Sequence, residues 1–291
     1  MIRVGVVGHR GYAELPAVLD TLRELQPGLG LELHFERGLQ EDAGYGECLD
    51  DPAGLDVLLT LGGDGTLLRG ARMLAPQHDV PILGVNLGRL GFLTCCPADQ
   101  LAPALMRFAR HDYEVERRMA IHSRVLDPYG RERHQWLALN DVVLHKGGFA
   151  RVVELRVSAN GETIATFGAD GVVISTPTGS TAYSLSAGGP VLFPTLEALV
   201  VTPVSAHALG IRPVVLPPSA EVTVQAEAFP EELLVTIDGQ VGSNFASGET
   251  LGIRRADGGV RIVRFPGASF FKTLRQKLGW GGLMDRDHLS A

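Results

Sequence analysis

The run Leu61-Gly62-Gly63-Asp64-Gly65-Thr66 follows directly on the apolar stretch Asp56-Val57-Leu58-Leu59-Thr60. A strand that breaks into three glycines around one carboxylate, then enters a helical segment, lets backbone approach a phosphate and lets an acid meet a hydroxyl. The chemistry this suggests is phosphoryl transfer. A plain strand-to-helix turn, with Asp64 or Thr66 as N-cap, would use the same residue types. The preceding apolar strand favours a site, because open α/β folds bind ligands at the carboxyl ends of their strands. The chain has no Gly-x-x-x-x-Gly-Lys-Ser/Thr phosphate cradle. Its first glycine turn, Gly5-Val6-Val7-Gly8-His9-Arg10-Gly11, lacks the spacing of a dinucleotide fingerprint.

The elements that must position this turn alternate along the first third of the chain. Strand-like Ile2 to Val7, Leu31 to Phe35, Val57 to Leu61 and Pro81 to Val85 are interleaved with helical Glu14 to Gln26, Leu67 to Leu74 and Leu101 to Arg110. This alternation predicts an α/β domain on a mostly parallel sheet over residues 1–115. From about Tyr113 the chain turns to short β-rich runs: Val142 to Leu144, Val152 to Val157, Thr163 to Phe167, Val172 to Ser175, Val222 to Ala226, Leu233 to Ile237 and Val260 to Arg264. These predict a β-rich, sandwich-like domain over residues 116–266, with a hairpin turn at Asn160-Gly161. The apolar spacing of Phe270 to Leu278, ending at Gly279, predicts a helical tail over 267–291 that packs back on the N-terminal domain.

Composition narrows the partners. With 291 residues, 26 basic and 33 acidic, the net charge is -7, which lacks the basic footprint of a general nucleic-acid binder. No window of about 18 uncharged apolar residues predicts a membrane span. The opening segment is too short for a secretory leader, so a cytoplasmic location is expected. The three cysteines, Cys48, Cys95 and Cys96, form neither a metal spacing nor a disulfide framework and read as reduced thiols.

Two further stretches carry more specific chemistry: Asn86-Leu87-Gly88-Arg89-Leu90-Gly91-Phe92-Leu93, and Ala169 to Pro190 with its core Thr176-Pro177-Thr178-Gly179-Ser180-Thr181-Ala182-Tyr183. Together with the Gly-Gly-Asp-Gly-Thr run and Asp238-Gly239-Gln240, they closely resemble the NAD kinase family. The resemblance spans residues 62 to 240. It implies transfer of the terminal phosphoryl group of ATP, or of inorganic polyphosphate, to the 2'-hydroxyl of the adenosine ribose of NAD. It makes Asp64 the general base, since a sugar hydroxyl is a poor nucleophile until a carboxylate takes its proton. Gly62, Gly63, Gly65 and Thr66 then form the donor-phosphate loop, with Arg89 beside it.

The same resemblance places Asp64, Gly65, Asn140, Asp141, Asp170, Thr178, Thr181, Ala182, Tyr183, Asp238 and Gln240 around NAD. Asn140-Asp141 stands where the family carries Asn-Glu, and the shorter acid implies a longer or water-mediated ribose contact. Phe167-Gly168-Ala169-Asp170 lacks the Arg that family members often carry shortly before Asp-Gly. From the residues themselves, Gly179 or Ser180 should open a helix whose amides face a polar ligand, and His207 reads as a structural histidine. A divalent cation, most simply Mg²⁺, would be held by the donor's phosphates, so no metal-ligating residues are assigned. The family implies a homodimer or homotetramer. A lipid kinase sharing Gly-Gly-Asp-Gly-Thr and a non-catalytic dinucleotide sensor are the alternatives.

Overall fold

The computed structural model describes residues 1–74, 79–89, 91–147, 152–208, 210–228 and 233–280. Leu90 of the glycine-rich stretch and residues 281–291 of the expected tail lie outside the described residues. The chain divides into two units, Met1–Glu116 with Arg261–Ala291, and Arg117–Val260.

In the first unit, the parallel strands Ile2–Gly8, Leu31–Phe35, Val57–Gly62 and Ile82–Asn86 form the centre of the sheet. All six residues of Val57–Gly62 are buried, as expected for a strand covered on both faces by helices. The helix Asp64–Leu74 leaves that strand and buries Leu67, Leu68, Ala71 and Leu74, a three- and four-residue repeat that seats one face on the sheet. Its N-terminus is thereby fixed at the carboxyl end of the central strand. The helix Leu15–Leu29 closes at Gly30 in the left-handed region, φ 62°, where a side chain would be strained.

The strand Val260–Arg264 corrects one expectation. It was assigned by texture to the β-rich domain, yet it pairs in parallel with Ile82–Asn86, and the chain from Arg261 onward belongs to the first unit. Short alternating strands look alike in sequence whichever sheet they join. The tail does pack on the N-terminal unit. In the helix Phe270–Leu278, which Ser269 caps at its start, Phe270 lies 6.1 Å from the Phe92 ring and Lys277 Nζ sits 4.9 Å over that ring.

The second unit is a sandwich of two six-stranded antiparallel sheets. One runs in the order Glu162–Ala169, Val153–Ala159, Val222–Ala228, Thr250–Arg255, Ile121–Leu126, Glu132–Ala138. The other runs Val214–Leu216, Leu199–Val204, Gly171–Ser175, Asp141–Lys146, Leu233–Ile237, Val241–Phe245. Leu155, Val157, Val224 and Ile253 of the first share one core with Val142, Leu144, Ile174 and Val235 of the second, every other residue pointing inward. Asn160 (φ 53°) and Gly161 (φ 81°) make the expected hairpin turn. Among the described residues, no helix is long and apolar enough to cross a membrane.

Candidate active site

Asp64 stands at the first position of its helix, where Gly63 rather than Asp64 or Thr66 takes the cap position: the Gly63 carbonyl accepts from Thr66 N at 3.0 Å and Leu67 N at 3.3 Å. The Asp64 carboxylate is therefore released to the following loop. Its Oδ2 accepts the Phe92 amide at 2.8 Å, and its Oδ1 accepts the Leu93 and Thr94 amides at 3.0 and 3.3 Å. A Cβ built on Gly91 would lie 1.9 Å from Asp64 Oδ1, so only glycine lets the loop close on this acid. The loop is itself tied down by Arg264, which donates to the Phe92 and Leu93 carbonyls at 3.1 Å and to Glu116 at 2.9 Å.

The first loop of the chain supplies a part that sequence reasoning missed. Arg69, on the Asp64 helix, donates to the Gly8 carbonyl at 2.7 Å and to both oxygens of Glu36, and Glu36 in turn accepts the Gly8 amide at 2.9 Å. This bidentate pair fixes the Gly8 turn beside the glycine run. Tyr12, edge-on to His9 at 5.3 Å, lies against Gly63 and Gly88. The sequence signal was present in the Gly8-His9-Arg10-Gly11-Tyr12 turn, but its wrong fingerprint spacing hid it. Gly62 is buried, Gly65 and Arg89 are exposed, and the Leu87 amide donates to the Gly62 carbonyl at 3.2 Å.

In the second unit, Asp238 occupies the left-handed region at φ 50° and opens the turn to Gln240, whose amide donates to the Ile237 carbonyl at 3.0 Å. Its buried carboxylate reaches back to the amides of Asn140 at 2.8 Å, Asp141 at 3.2 Å and Leu139 at 3.4 Å. Thr176 N donates to the Asn140 carbonyl at 2.9 Å, and Gly179 packs so closely on Asn140 that a Cβ would lie 2.0 Å from that carbonyl oxygen. Asn140 and Asp141 are thus held by backbone contacts from two directions. Asp141 is buried and its carboxyl is pushed up to about 7, first by burial and then by the Asp238 charge; a hydrogen bond from the Tyr183 backbone opposes both.

The helix expected to open at Gly179 or Ser180 is short. It is one 3₁₀ turn, Gly179–Thr181, and a four-residue helix, Tyr183–Ser186. Ser180 spends its hydroxyl on the Pro177 carbonyl and the Leu192 amide, and buried Thr178 accepts from Arg118 at 3.3 Å, so neither hydroxyl faces outward. Thr181 and Ala182 are half-buried, whereas Tyr183 is 43% exposed and presents its ring. Asp170 pairs with Lys146 Nζ at 2.6 Å, which holds its carboxyl below the usual range with help from Ser205. His207 is exposed rather than structural, and its backbone amide donates to Gly168 at 2.9 Å. Gln240 is exposed at the turn. Asp64 belongs to the first unit; Asn140, Asp141, Asp170, Tyr183 and Asp238 belong to the second.

A His and two carboxylates, His34, Glu32 and Glu47, also come within 4.8 Å of one another at the sheet edge. Arg3 sits 3.3 Å from the Glu32 oxygen that His34 uses, so this cluster reads as an ion-pair network.

Comparison with known proteins decides the family. The ATP-NAD kinase N-terminal domain matches residues 45–113, and the ATP-NAD kinase C-terminal domain matches residues 139–265. The chain is 58% identical to the NAD kinase of Gemmatimonas aurantiaca over 98% of its own length and 99% of that protein's. This chain belongs to the NAD kinase family. It is 39% identical to the NAD kinase of Syntrophotalea carbinolica over 97% of its length and 99% of that relative. The NAD kinase fold recurs in the crystal structure of yeast NADH kinase complexed with NADH, at a TM-score of 0.86 and 24% identity, covering 97% of this chain and 88% of that one. An NAD kinase from Archaeoglobus fulgidus in complex with ATP superposes at 0.74, with 24% identity, over 97% of this chain and all of that one. The lipid-kinase alternative finds no support among these matches.

Proposed function

We propose that this NAD kinase family member transfers the terminal phosphoryl group of ATP, or of inorganic polyphosphate, to the 2'-hydroxyl of the adenosine ribose of NAD, yielding NADP, with Asp64 as general base. The observation that carries this reading is how the Asp64 carboxylate is used. An ionised carboxylate offers about four lone-pair sites. Two amides fall on Oδ1 and one on Oδ2, which leaves Oδ2 able to accept a hydroxyl proton.

Those amides fix the orientation of the carboxylate before substrate arrives. In phosphoryl transfer the loose transition state needs the hydroxyl proton removed only as the new P–O bond forms. Gly62, Gly63, Gly65 and Thr66 leave room for the donor phosphates, and exposed Arg89 carries positive charge toward them. Asp64 is the single carboxylate of this glycine turn and both its oxygens hold amides, which fits a divalent cation carried by the donor's phosphates. Mg²⁺ so bound would neutralise charge on the transferring group.

On the acceptor side, Asn140, Asp141, Thr181, Ala182 and Tyr183 bind the adenosine portion, with the exposed Tyr183 ring as a stacking face. Asp170 lies toward the nicotinamide end, and Gln240 approaches the dinucleotide. Asp238 and Thr178 act through the groups they hold. The working form is a homodimer or homotetramer, which sedimentation equilibrium would test. Incubating the purified protein with Mg²⁺, NAD or NADH, and ATP or polyphosphate should yield NADP or NADPH. Tight NAD binding with no phosphorylated product from any donor would overturn the reading and leave a dinucleotide sensor.

A further inference from the structure

Cys95 and Cys96 directly follow the three residues whose amides hold Asp64. Cys95 is half-buried, and its amide and Sγ both reach the Gly84 carbonyl, at 2.9 and 3.5 Å. Cys96 is buried in the short strand Cys96–Pro97, in register with Val85. The two thiols interact, and the hydrogen bond from Cys96, followed by the nearby Arg264 charge, draws the Cys95 thiol below its ordinary value. Cys96 is pushed the other way by Cys95 and by burial. Cys95, half-buried, is therefore the thiol more readily ionised, and buried Cys96 is its neighbour.

We propose that Cys95 is a site of reversible oxidation by hydroperoxides, with Cys96 as the thiol that closes on it, and that this modification releases the loop holding Asp64. The Cys95 thiolate attacks the peroxide oxygen. An S–O bond forms and the O–O bond breaks, the peroxide is reduced to an alcohol or water, and Cys95 becomes a sulfenic acid. The Cys96 thiol then displaces that oxygen: an S–S bond forms, the S–O bond breaks and water leaves. Neighbouring Cα atoms lie about 3.8 Å apart across a trans peptide, short of the roughly 4.4–6.8 Å of a relaxed disulfide. Closing the ring must therefore shift backbone between Thr94 and Pro97, and Thr94 carries one of the three amides on Asp64. A strained disulfide is also readily reduced, which makes the change reversible.

The kinetic consequence rests on Asp64 acting in the transfer; the thiol chemistry does not. Treating the full chain with hydrogen peroxide should lower NADP formation roughly tenfold or more, the scale of small misplacements at a reacting group. Dithiothreitol should restore it. The peptide carrying both cysteines should lose two hydrogens in mass. Cys96→Ser should stop at the sulfenic acid, captured by dimedone on Cys95. Cys95→Ser, or Cys95→Ala should the serine variant fail to fold, should keep its activity through peroxide, and Cys48→Ser should remain as sensitive as the parent. A Cys95 variant that loses activity to peroxide like the parent would overturn the proposal, as would activity loss with no mass change at this peptide. Oxidation of the pair with turnover unaltered would overturn the link to Asp64. If no NADP forms even before oxidation, the functional reading fails while the mass and dimedone readouts still decide the thiol chemistry.

Discussion

Each unit contains one carboxylate that gathers three consecutive amides, and the two are used in opposite ways. Asp64 collects the amides of residues 92–94 in the α/β unit, and Asp238 collects those of residues 139–141 in the sandwich. Asp64 is half-buried and, among the described residues, accepts one amide on Oδ2 and two on Oδ1, so its clamp holds the acid itself in place. Asp238 is buried, 8% exposed, and its clamp shapes the Asn140-Asp141 segment. The same local device thus orients a half-buried acid in one unit and ties down a backbone segment in the other. What separates them is burial and the identity of what they hold.

Removing the proton acceptor breaks the comparison most sharply. Asp64→Asn keeps an oxygen for the amides but cannot take a proton. Turnover should fall by about a hundredfold to ten-thousandfold, with the KM for NAD little changed and the melting temperature lowered because the new NH2 group faces an amide that an oxygen held, as measured by NADP formation and thermal denaturation. A variant with parental turnover would exclude Asp64 as base. Asp238→Ala should do the reverse. It strips the acceptor from three amides and leaves a non-glycine residue at φ 50°, so stability should drop by about 2–4 kcal/mol, with a raised KM for NAD and a smaller loss of kcat. Urea unfolding and a KM-against-kcat comparison would show whether Asp238 positions or reacts.

Gly179→Ala tests the second hold on Asn140. The added methyl would meet the Asn140 carbonyl oxygen at 2.0 Å and its carbon at 2.4 Å, backbone atoms that cannot swing aside. A loss of about 1–3 kcal/mol is expected, with weaker NAD binding by titration calorimetry. An unchanged melting temperature would mean that the Thr176–Gly179 turn is free to move.

How legible this was in the sequence follows the range of the contacts. Asp64 and the helix after it were legible because strand, glycine turn and apolar helix repeat lie within 20 residues of one another. The Asn160-Gly161 turn was legible for the same reason. The three amides on Asp64 come from 28 to 30 residues away, and those on Asp238 from 97 to 99 residues away, separations at which no local pattern carries the pairing. That the Asp238 carboxylate holds three backbone amides was therefore not visible in the sequence. Lys146 could not be seen as the partner of Asp170 until the strands were in register, and the Val260–Arg264 strand could not be assigned to its sheet.

The pH-dependent effect concerns Asp141, the neighbour that Asp238 holds and repels. Its carboxyl is raised from 3.8 to about 7 in the folded chain, so the folded state binds a proton that the unfolded state has lost across that interval. The contribution is fully present below about pH 4, declines as pH rises and is gone above about pH 7. Stability should therefore fall between those limits on account of this group. Asp141→Asn removes the titration while retaining a polar side chain of the same size. The variant should melt at a higher temperature than the parent at pH 8, and the difference should shrink or reverse at pH 5. The Asp238→Ala change, by removing the repelling charge, should shift the same pH dependence downward. Melting curves for the parent and both variants across this range would separate burial, which persists in Asp238→Ala, from repulsion, which does not. A parental curve already flat between pH 4 and 7 would mean that Asp141 is ionised in the folded protein, and that burial and the Asp238 charge do not hold its proton.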